Sequence, residues 1–251
     1  MRVTLLGTGT SYPDPERVQS GVLVEINDMY VLFDVGSGIL QRLNQLRIPL
    51  TKIHHIFVSH FHIDHCSDLP TLYQSLWMSG YDGTLHLYGP PMIDDWYRGI
   101  FTVSFPYMRD RILLELIRLD EFHAVQIADM SVTTCPTLHG SIESRAFKIE
   151  HDGRSIVYTS DTAPCPEVIA LARGADLLIH ECNWLDGDHP AGVHTSPSQL
   201  AKIVEQTQPK TVVLTHLGPE VVAQEKRVVD IVARRTNARV VMGRDLLVLD
   251  T

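Results

Sequence analysis

No run of about 18 apolar residues, the length a helix needs to cross a bilayer, occurs in the sequence. The amino terminus, Met1-Arg2-Val3-Thr4-Leu5-Leu6, runs straight into Gly7-Thr8-Gly9 without the zones of a secretory signal. Both absences predict a cytoplasmic protein with no membrane partner. Cysteine is scarce, and Cys66, Cys135, Cys165 and Cys182 form no Cys-x-x-Cys pair. That excludes a zinc ribbon and gives no sign of a disulfide framework, leaving buried free thiols as the expectation. Positive charge is short as well: 21 Lys and Arg face 30 Asp and Glu, a net charge of -9. Such a chain repels polyphosphate backbones, which disfavours a large nucleic acid as partner. No internal repeat, low-complexity tract or flexible linker interrupts the sequence.

What remains is an ordinary globular composition, 251 residues with 44% hydrophobic and 20% charged side chains, which suits one domain over residues 1–251. Short β-branched runs predict strands at 3–6, 22–26, 30–33, 55–58, 84–88, 155–159, 177–180, 211–214 and 240–242. Helical spacing predicts helices at 39–46, 69–78, 166–173, 196–206 and 221–236, with Ser196 and Gln199 spaced as a capping box. The alternation implies α/β layers, with helices packed on sheet faces.

Histidine is plentiful, 13 residues in all. Ser59-His60-Phe61-His62-Ile63-Asp64-His65 places four metal-ligating side chains directly after a predicted strand. In extended backbone alternate side chains share a face, so His60 and His62 can reach one ion, and a following turn can aim Asp64 and His65 at a second. A surface turn rarely concentrates ligands so densely. Downstream, His139, Asp161 and His216 each follow a predicted strand or sit in a strand-end loop, where α/β proteins place ligand sites.

The run His60-Phe61-His62-Ile63-Asp64-His65 resembles the His-x-His-x-Asp-His signature of the metallo-β-lactamase superfamily, and the later order His139, Asp161, His216 is similar too. The resemblance spans nearly the whole chain and implies a single-domain α/β fold, the four-layer αββα sandwich of that family. It further implies one metal on His60, His62 and His139, another on Asp64, His65 and His216, and Asp161 bridging the two. Paired divalent metals ~3.5–4 Å apart activate water and stabilise charge in the transition state. Zinc suits an imidazole-rich site best, with manganese or iron as alternatives. The metals outweigh Asp64 and Asp161, leaving a local positive spot for a small anionic substrate.

Within the superfamily the chain looks most like the ribonuclease Z and related phosphodiesterase branch. The resemblance rests on Leu5-Leu6-Gly7-Thr8-Gly9 followed by Pro13, on Phe33-Asp34-Val35-Gly36, on His180-Glu181-Cys182 and on Gly192-Val193-His194-Thr195-Ser196. It implies a catalytic set of Asp64, His194 and Glu181, with His194 as the general acid oriented by Glu181 and Asp34 as a hydrogen-bond partner of a ligating histidine. Read without the resemblance, His194 is also an ordinary polar residue before a helix, and Glu181 a strand-end carboxylate. His180, His54, His55, His86, His123, His151 and His189 read as structural or solvent-facing. Members that process tRNA carry a long arm between the positions of His139 and Asp161, and the 21 residues from Gly140 to Ser160 leave no room for one.

The implied activity is metal-dependent hydrolysis, by a hydroxide bridged between two metals, of a small or cyclic phosphodiester. The same ligands would equally serve a thioester, lactone, sulfate ester or, least in keeping with these motifs, a β-lactam, as well as an armless ribonuclease Z-like nuclease. A metal-bound regulatory module without turnover is a third class. Residues 73–108, rich in aromatic and Met side chains, suit core packing, a pocket wall or a homodimer contact.

Overall fold

A computed structural model describes residues 1–251. The strands are β1 (Arg2–Gly7), β2 (Gly21–Ile26), β3 (Met29–Phe33), β4 (Ile53–Phe57), β5 (Thr84–Gly89), β6 (Leu113–Arg118), β7 (Ala124–Ile127), β8 (Met130–Pro136), β9 (Arg145–His151), β10 (Arg154–Tyr158), β11 (Leu177–Cys182), β12 (Thr211–Leu217), β13 (Arg239–Met242) and β14 (Leu247–Asp250). The helices are α1 (Ile39–Gln45), α2 (Ile63–Cys66), α3 (Leu69–Met78), α4 (Ile93–Tyr97), α5 (Pro166–Leu171), α6 (Pro197–Thr207), α7 (Pro219–Ala223) and α8 (Glu225–Ala233). The chain falls into two compact units, the first being Met1–Gly7, Pro15–Asp120 and Asp245–Asp250, the second Thr8–Asp14, Glu121–Arg244 and Thr251.

The first unit holds a seven-stranded sheet in the order β14-β1-β2-β3-β4-β5-β6. Its β2–β3 hairpin closes on Asn27-Asp28, both at positive φ, the two-residue turn whose twist matches that of paired strands. From β3 to β6 the pairing is parallel. The core packs Leu32, Ile56, Leu85 and Leu87 of the sheet against Ile39 and Leu43 of α1 and Leu69, Leu72, Tyr73 and Leu76 of α3. Tyr73, Tyr81, Phe101 and Met108 also lie in this core, with Trp77, Trp96 and Tyr97 packed on it. Much of the aromatic-rich segment is therefore core, while Met78, Phe105 and Tyr107 remain exposed.

A row of imidazoles crosses this sheet. The His55 and His86 rings stack at 4.8 Å, His55 Nδ1 lies 3.1 Å from the Tyr88 hydroxyl, and His86 Nδ1 lies 2.9 Å from Glu115. Burial first, then the neighbouring His86 and His54, pull the His55 pKa from 6.5 down to about 4. Between those values the unfolded chain binds a proton that the folded chain does not, so stability falls as pH drops through that window. Urea-unfolding midpoints measured from pH 7 to 4 are expected to fall more steeply for the native protein than for His55→Gln.

The second unit holds a seven-stranded sheet in the order β13-β12-β11-β10-β9-β8-β7, parallel from β10 to β13. Helix α6 buries Leu200, Ile203, Val204 and Thr207, and α8 buries Val228 and Val232, each at the spacing of one helical face. The Ser196–Gln199 capping box forms as the sequence predicts. All four cysteines are buried and free. No helix is long and apolar enough to cross a membrane.

Three expectations need correcting. The helix predicted at 221–236 is two, α7 and α8, broken at Gln224, where φ -117 and ψ 29 leave the helical region. Val221, Val228 and Val232 stay in phase across the break, so periodicity does not register it. Strands β6 to β9 and β14 are absent from the sequence reading, because residues such as Glu115, Lys148 and Glu150 break up their apolar runs. Strands β11 and β12 also extend further than predicted, taking in Glu181 and His216.

Candidate metal centre

In the first unit the chain leaves β4 and runs through Ser59-His60-Phe61-His62 into the single turn of α2, which carries Asp64 and His65. Asp34, at the end of β3, organises this segment. Its Oδ1 accepts the Ser59 backbone N–H at 2.7 Å, and its Oδ2 accepts the Ser59 hydroxyl at 2.9 Å and the His65 Nδ1–H at 2.8 Å. With its only proton on Asp34, the Ser59 hydroxyl accepts from His60 Nδ1 at 3.0 Å. Both rings are thereby fixed with Nε2 as the remaining ligand atom. Asp34, Ser59, His60 and His65 are fully buried.

The backbone is shaped to bring Asp34 there. Asp34 adopts φ +60, an uncommon conformation for a residue with a side chain. The Val35 N–H donates to the His65 carbonyl at 2.7 Å. A Cβ on Gly36 would stand 2.2 Å from the Asp64 carbonyl oxygen, so only glycine lets the Phe33-Asp34-Val35-Gly36 segment lie against α2. His60 and His62 sit with ring centroids 4.6 Å apart, and His65 Nε2 lies 3.9 Å from Asp64 Oδ2.

In the second unit, His139 donates through Nδ1 to the Val193 carbonyl at 2.9 Å, and the Gly140 N–H donates to the Gly192 carbonyl at 2.7 Å. His139 Nε2 is thus turned toward Asp161, 3.7 Å from Oδ2, while His216 Nδ1 lies 3.4 Å from Asp161 Oδ1. Two ligands on a tetrahedral ion with bonds of 2.0–2.1 Å stand about 3.3 Å apart. The spacings of His139, Asp161 and His216 are close to that, and the imidazole and carboxylate donors suit zinc, manganese or iron. Ser160 and His216, beside and within the set, both adopt positive φ.

Glu181 on β11 is fully buried. Its Oε1 accepts His194 Nδ1–H at 2.7 Å and Thr162 N–H at 2.9 Å, and its Oε2 accepts Asn183 N–H at 3.1 Å and Thr195 N–H at 3.2 Å. Four donors hold the carboxylate still, and it in turn holds the His194 ring by its Nδ1–H. The His194 ring lies 5.0 Å from that of His139 and 5.5 Å from that of His216. Asp161, His194 and His216 each offer a ligand atom within 4.8 Å of the others.

His180, read as structural, faces away from this group: buried, its Nδ1 on the Glu181 carbonyl at 2.8 Å, its pKa lowered mainly by burial. Of the other histidines, His54 bonds Tyr81, His151 bonds Asp129 and His189 bonds the Leu185 carbonyl. Sequence reasoning missed Ser59, Thr162, Thr195 and the Val193 carbonyl. Ser59 left a trace as the hydroxyl residue immediately before the histidine run, and Val193 and Thr195 as the neighbours of His194. The interval from Gly140 to Ser160 is filled by a short loop and the β9–β10 hairpin, closed on Asp152-Gly153.

Residues 29–217 match the model of the beta-lactamase superfamily domain. Ribonuclease Z of Pyrococcus abyssi is 27% identical over 266 aligned positions, covering 87% of this chain and 87% of that protein. The metallo-beta-lactamase fold protein YhfI from Bacillus subtilis superposes with a TM-score of 0.86 at 24% identity, over 100% of this chain and 99% of that one. A diphosphatase from the PhnP family superposes with a TM-score of 0.78 at 21% identity, over 100% and 97%.

Proposed function

The chain belongs to the β-lactamase superfamily, with its metallo-β-lactamase α/β sandwich and its hydrolase chemistry, and from that premise we propose that it is a metal-dependent phosphodiesterase acting on a small or cyclic phosphodiester. The family match runs through both compact units, which supports taking residues 1–251 as a single hydrolase domain. His60, His62 and His139 would hold one divalent ion and Asp64, His65 and His216 a second, with Asp161 shared between the two sets and zinc the first choice. Bound there, the ions would supply an activated water and polarise the phosphoryl oxygens.

The protein's own residues supply the rest. Asp34, Ser59 and the Val193 carbonyl orient the ligand histidines, and Asp64 completes the second set. His194 carries the proton for the departing oxygen on Nε2, and Glu181 stabilises the imidazolium by holding Nδ1–H. The observation that carries this reading is the 2.7 Å Glu181–His194 contact beside the Asp161 and His216 ligands. The ribonuclease Z relative supports phosphodiester chemistry. A small substrate is favoured by the net charge of -9 and by a Gly140–Ser160 interval too short for a tRNA-gripping arm.

Bis(p-nitrophenyl) phosphate with added zinc or manganese is the direct assay. Turnover abolished by a chelator and restored by metal is expected. Folded protein that binds its metals yet leaves this diester intact, while cleaving a lactone or thioester, would contradict the phosphodiesterase reading.

A further inference from the structure

Lysine and arginine are missing from every segment that carries a candidate ligand or His194. Those segments are 59–66, 137–144, 161–165, 183–194 and 216–218, and the loop 8–14 is tied to the last of them, where the Leu217 N–H donates to the Thr8 carbonyl at 2.9 Å. Beyond Asp64 and Asp161 their charged side chains are Asp14, Glu143, Asp186 and Asp188, all acidic. Of the arginines that border them, Arg17 and Arg145 are buried, and Arg145 donates to the Ser144 carbonyl at 3.1 Å. In the first unit Trp96 stacks on Phe61, and arginines near it in sequence are matched close at hand, Arg98 by Asp95, Arg109 by Asp110 and Arg118 by Asp94. A second phosphate on a substrate would thus meet none of the cationic forks or point charges that recognise one.

Large apolar side chains stand on the same segments. In the first unit Ile63, between His62 and Asp64, is 70% exposed. In the second unit Tyr12, on the loop tied beside His216, is 66% exposed, Leu138, immediately before His139, 41%, and Ile142, whose N–H donates to the His139 carbonyl at 3.0 Å, 37%. Leu138 also borders the His194 segment, since a Cβ on Gly192 would stand 3.8 Å from its side chain. One apolar side chain in water means little, but these adjoin the ligands themselves, and small-molecule sites combine apolar walls with a few placed polar groups. We propose that the protein selects a phosphodiester with a single negative charge and an uncharged, apolar group on one of its alcohols, recognised by Tyr12, Ile63, Leu138 and Ile142. This rests on the phosphodiesterase reading and narrows it. A further phosphate would face Glu143, Asp186 and Asp188 with like sign, which selects against oligonucleotides and against nucleotides bearing a second phosphate.

The test uses the zinc-loaded protein and phosphodiesters that all release p-nitrophenol, so that the leaving group is constant. They are the methyl, benzyl and thymidine 5′ esters of p-nitrophenyl phosphate, and the thymidine ester with an added 3′-phosphate. For the native protein kcat/KM of the benzyl ester should exceed that of the methyl ester about 10–100-fold, mostly through KM, the range that burial of one aromatic ring supplies. The 3′-phosphate should lower kcat/KM of the thymidine ester about 10-fold or more. Tyr12→Ser, Ile63→Ser, Leu138→Ser and Ile142→Ser should each reduce the benzyl-to-methyl ratio, a quantity in which a change of zinc content cancels because both esters meet the same metal centre. Methyl and benzyl esters cleaved alike by the native protein, or a 3′-phosphate that speeds cleavage, would overturn the proposed selectivity and leave the phosphodiesterase reading standing, since every probe still reports a broken diester. A native ratio kept in all four variants overturns the recognition by these side chains. Folded, zinc-loaded protein that cleaves none of the probes overturns the phosphodiesterase reading, and the proposal falls with it. The comparison of probes needs only the native protein, so a variant that fails to fold does not remove the test.

Discussion

His194→Ala is expected to lower turnover of phosphodiesters with poor leaving groups by about 10²–10⁴-fold, the span a positioned general acid supplies, while leaving metal content at the native level. The separation of the two readouts matters, because His194 also lies within ligand distance of Asp161 and His216, and a carboxylate behind an imidazole is equally the arrangement of a metal ligand. As an acid, His194 can be removed without loss of metal, and the defect shrinks as the leaving group becomes a better one. As a ligand, its removal drains metal and slows every substrate alike. Glu181→Gln should reproduce a smaller part of the first pattern. The amide oxygen can still accept the Nδ1 proton, but the negative charge that stabilises the imidazolium is gone. Metal analysis beside a leaving-group series checks both substitutions.

Asp34→Ala carries the second large effect. Three donors, the Ser59 backbone N–H, the Ser59 hydroxyl and His65 Nδ1–H, converge on this buried carboxylate. Removing it strands all three away from water and frees both the His60 and the His65 rings. We expect a loss of about 3–5 kcal/mol in unfolding free energy, the scale of breaking a buried polar pair. Metal affinity should also drop about 10–100-fold, as when a carboxylate behind a ligating histidine is lost. Asp34→Asn keeps an acceptor for one donor and should fall between the two proteins. Denaturant titration and competition with a chromogenic chelator read the two effects separately. An Asp34→Ala protein of native stability and metal affinity would show that Asp34 does not organise the histidine run.

These effects also mark what was legible in the sequence. His60, His62, Asp64 and His65 are contiguous, so a strand followed by one turn is enough to place them, and they read directly from spacing. His139, Asp161 and His216 are single residues that only the resemblance selects, because nothing local distinguishes them from other strand-end polar groups. Asp34 was seen as a partner for a histidine. That it serves two rings, the second through the Ser59 hydroxyl, depends on a positive φ at Asp34 and on the bare Cα of Gly36, which periodicity does not encode. The parallel strands β3 to β5 and β10 to β13 read well because both faces of most are apolar. The alternating strands β6 to β9 did not, and neither did the break at Gln224, which leaves the helical phase intact.

The central claim is that the seven residues His60, His62, Asp64, His65, His139, Asp161 and His216 hold two divalent ions. Metal content per chain, measured by inductively coupled plasma mass spectrometry after dialysis, tests it most directly. Two ions in the native protein, falling to one or fewer in Asp161→Ala, is the predicted result. One ion or none in the native protein, or two retained in Asp161→Ala, would contradict it.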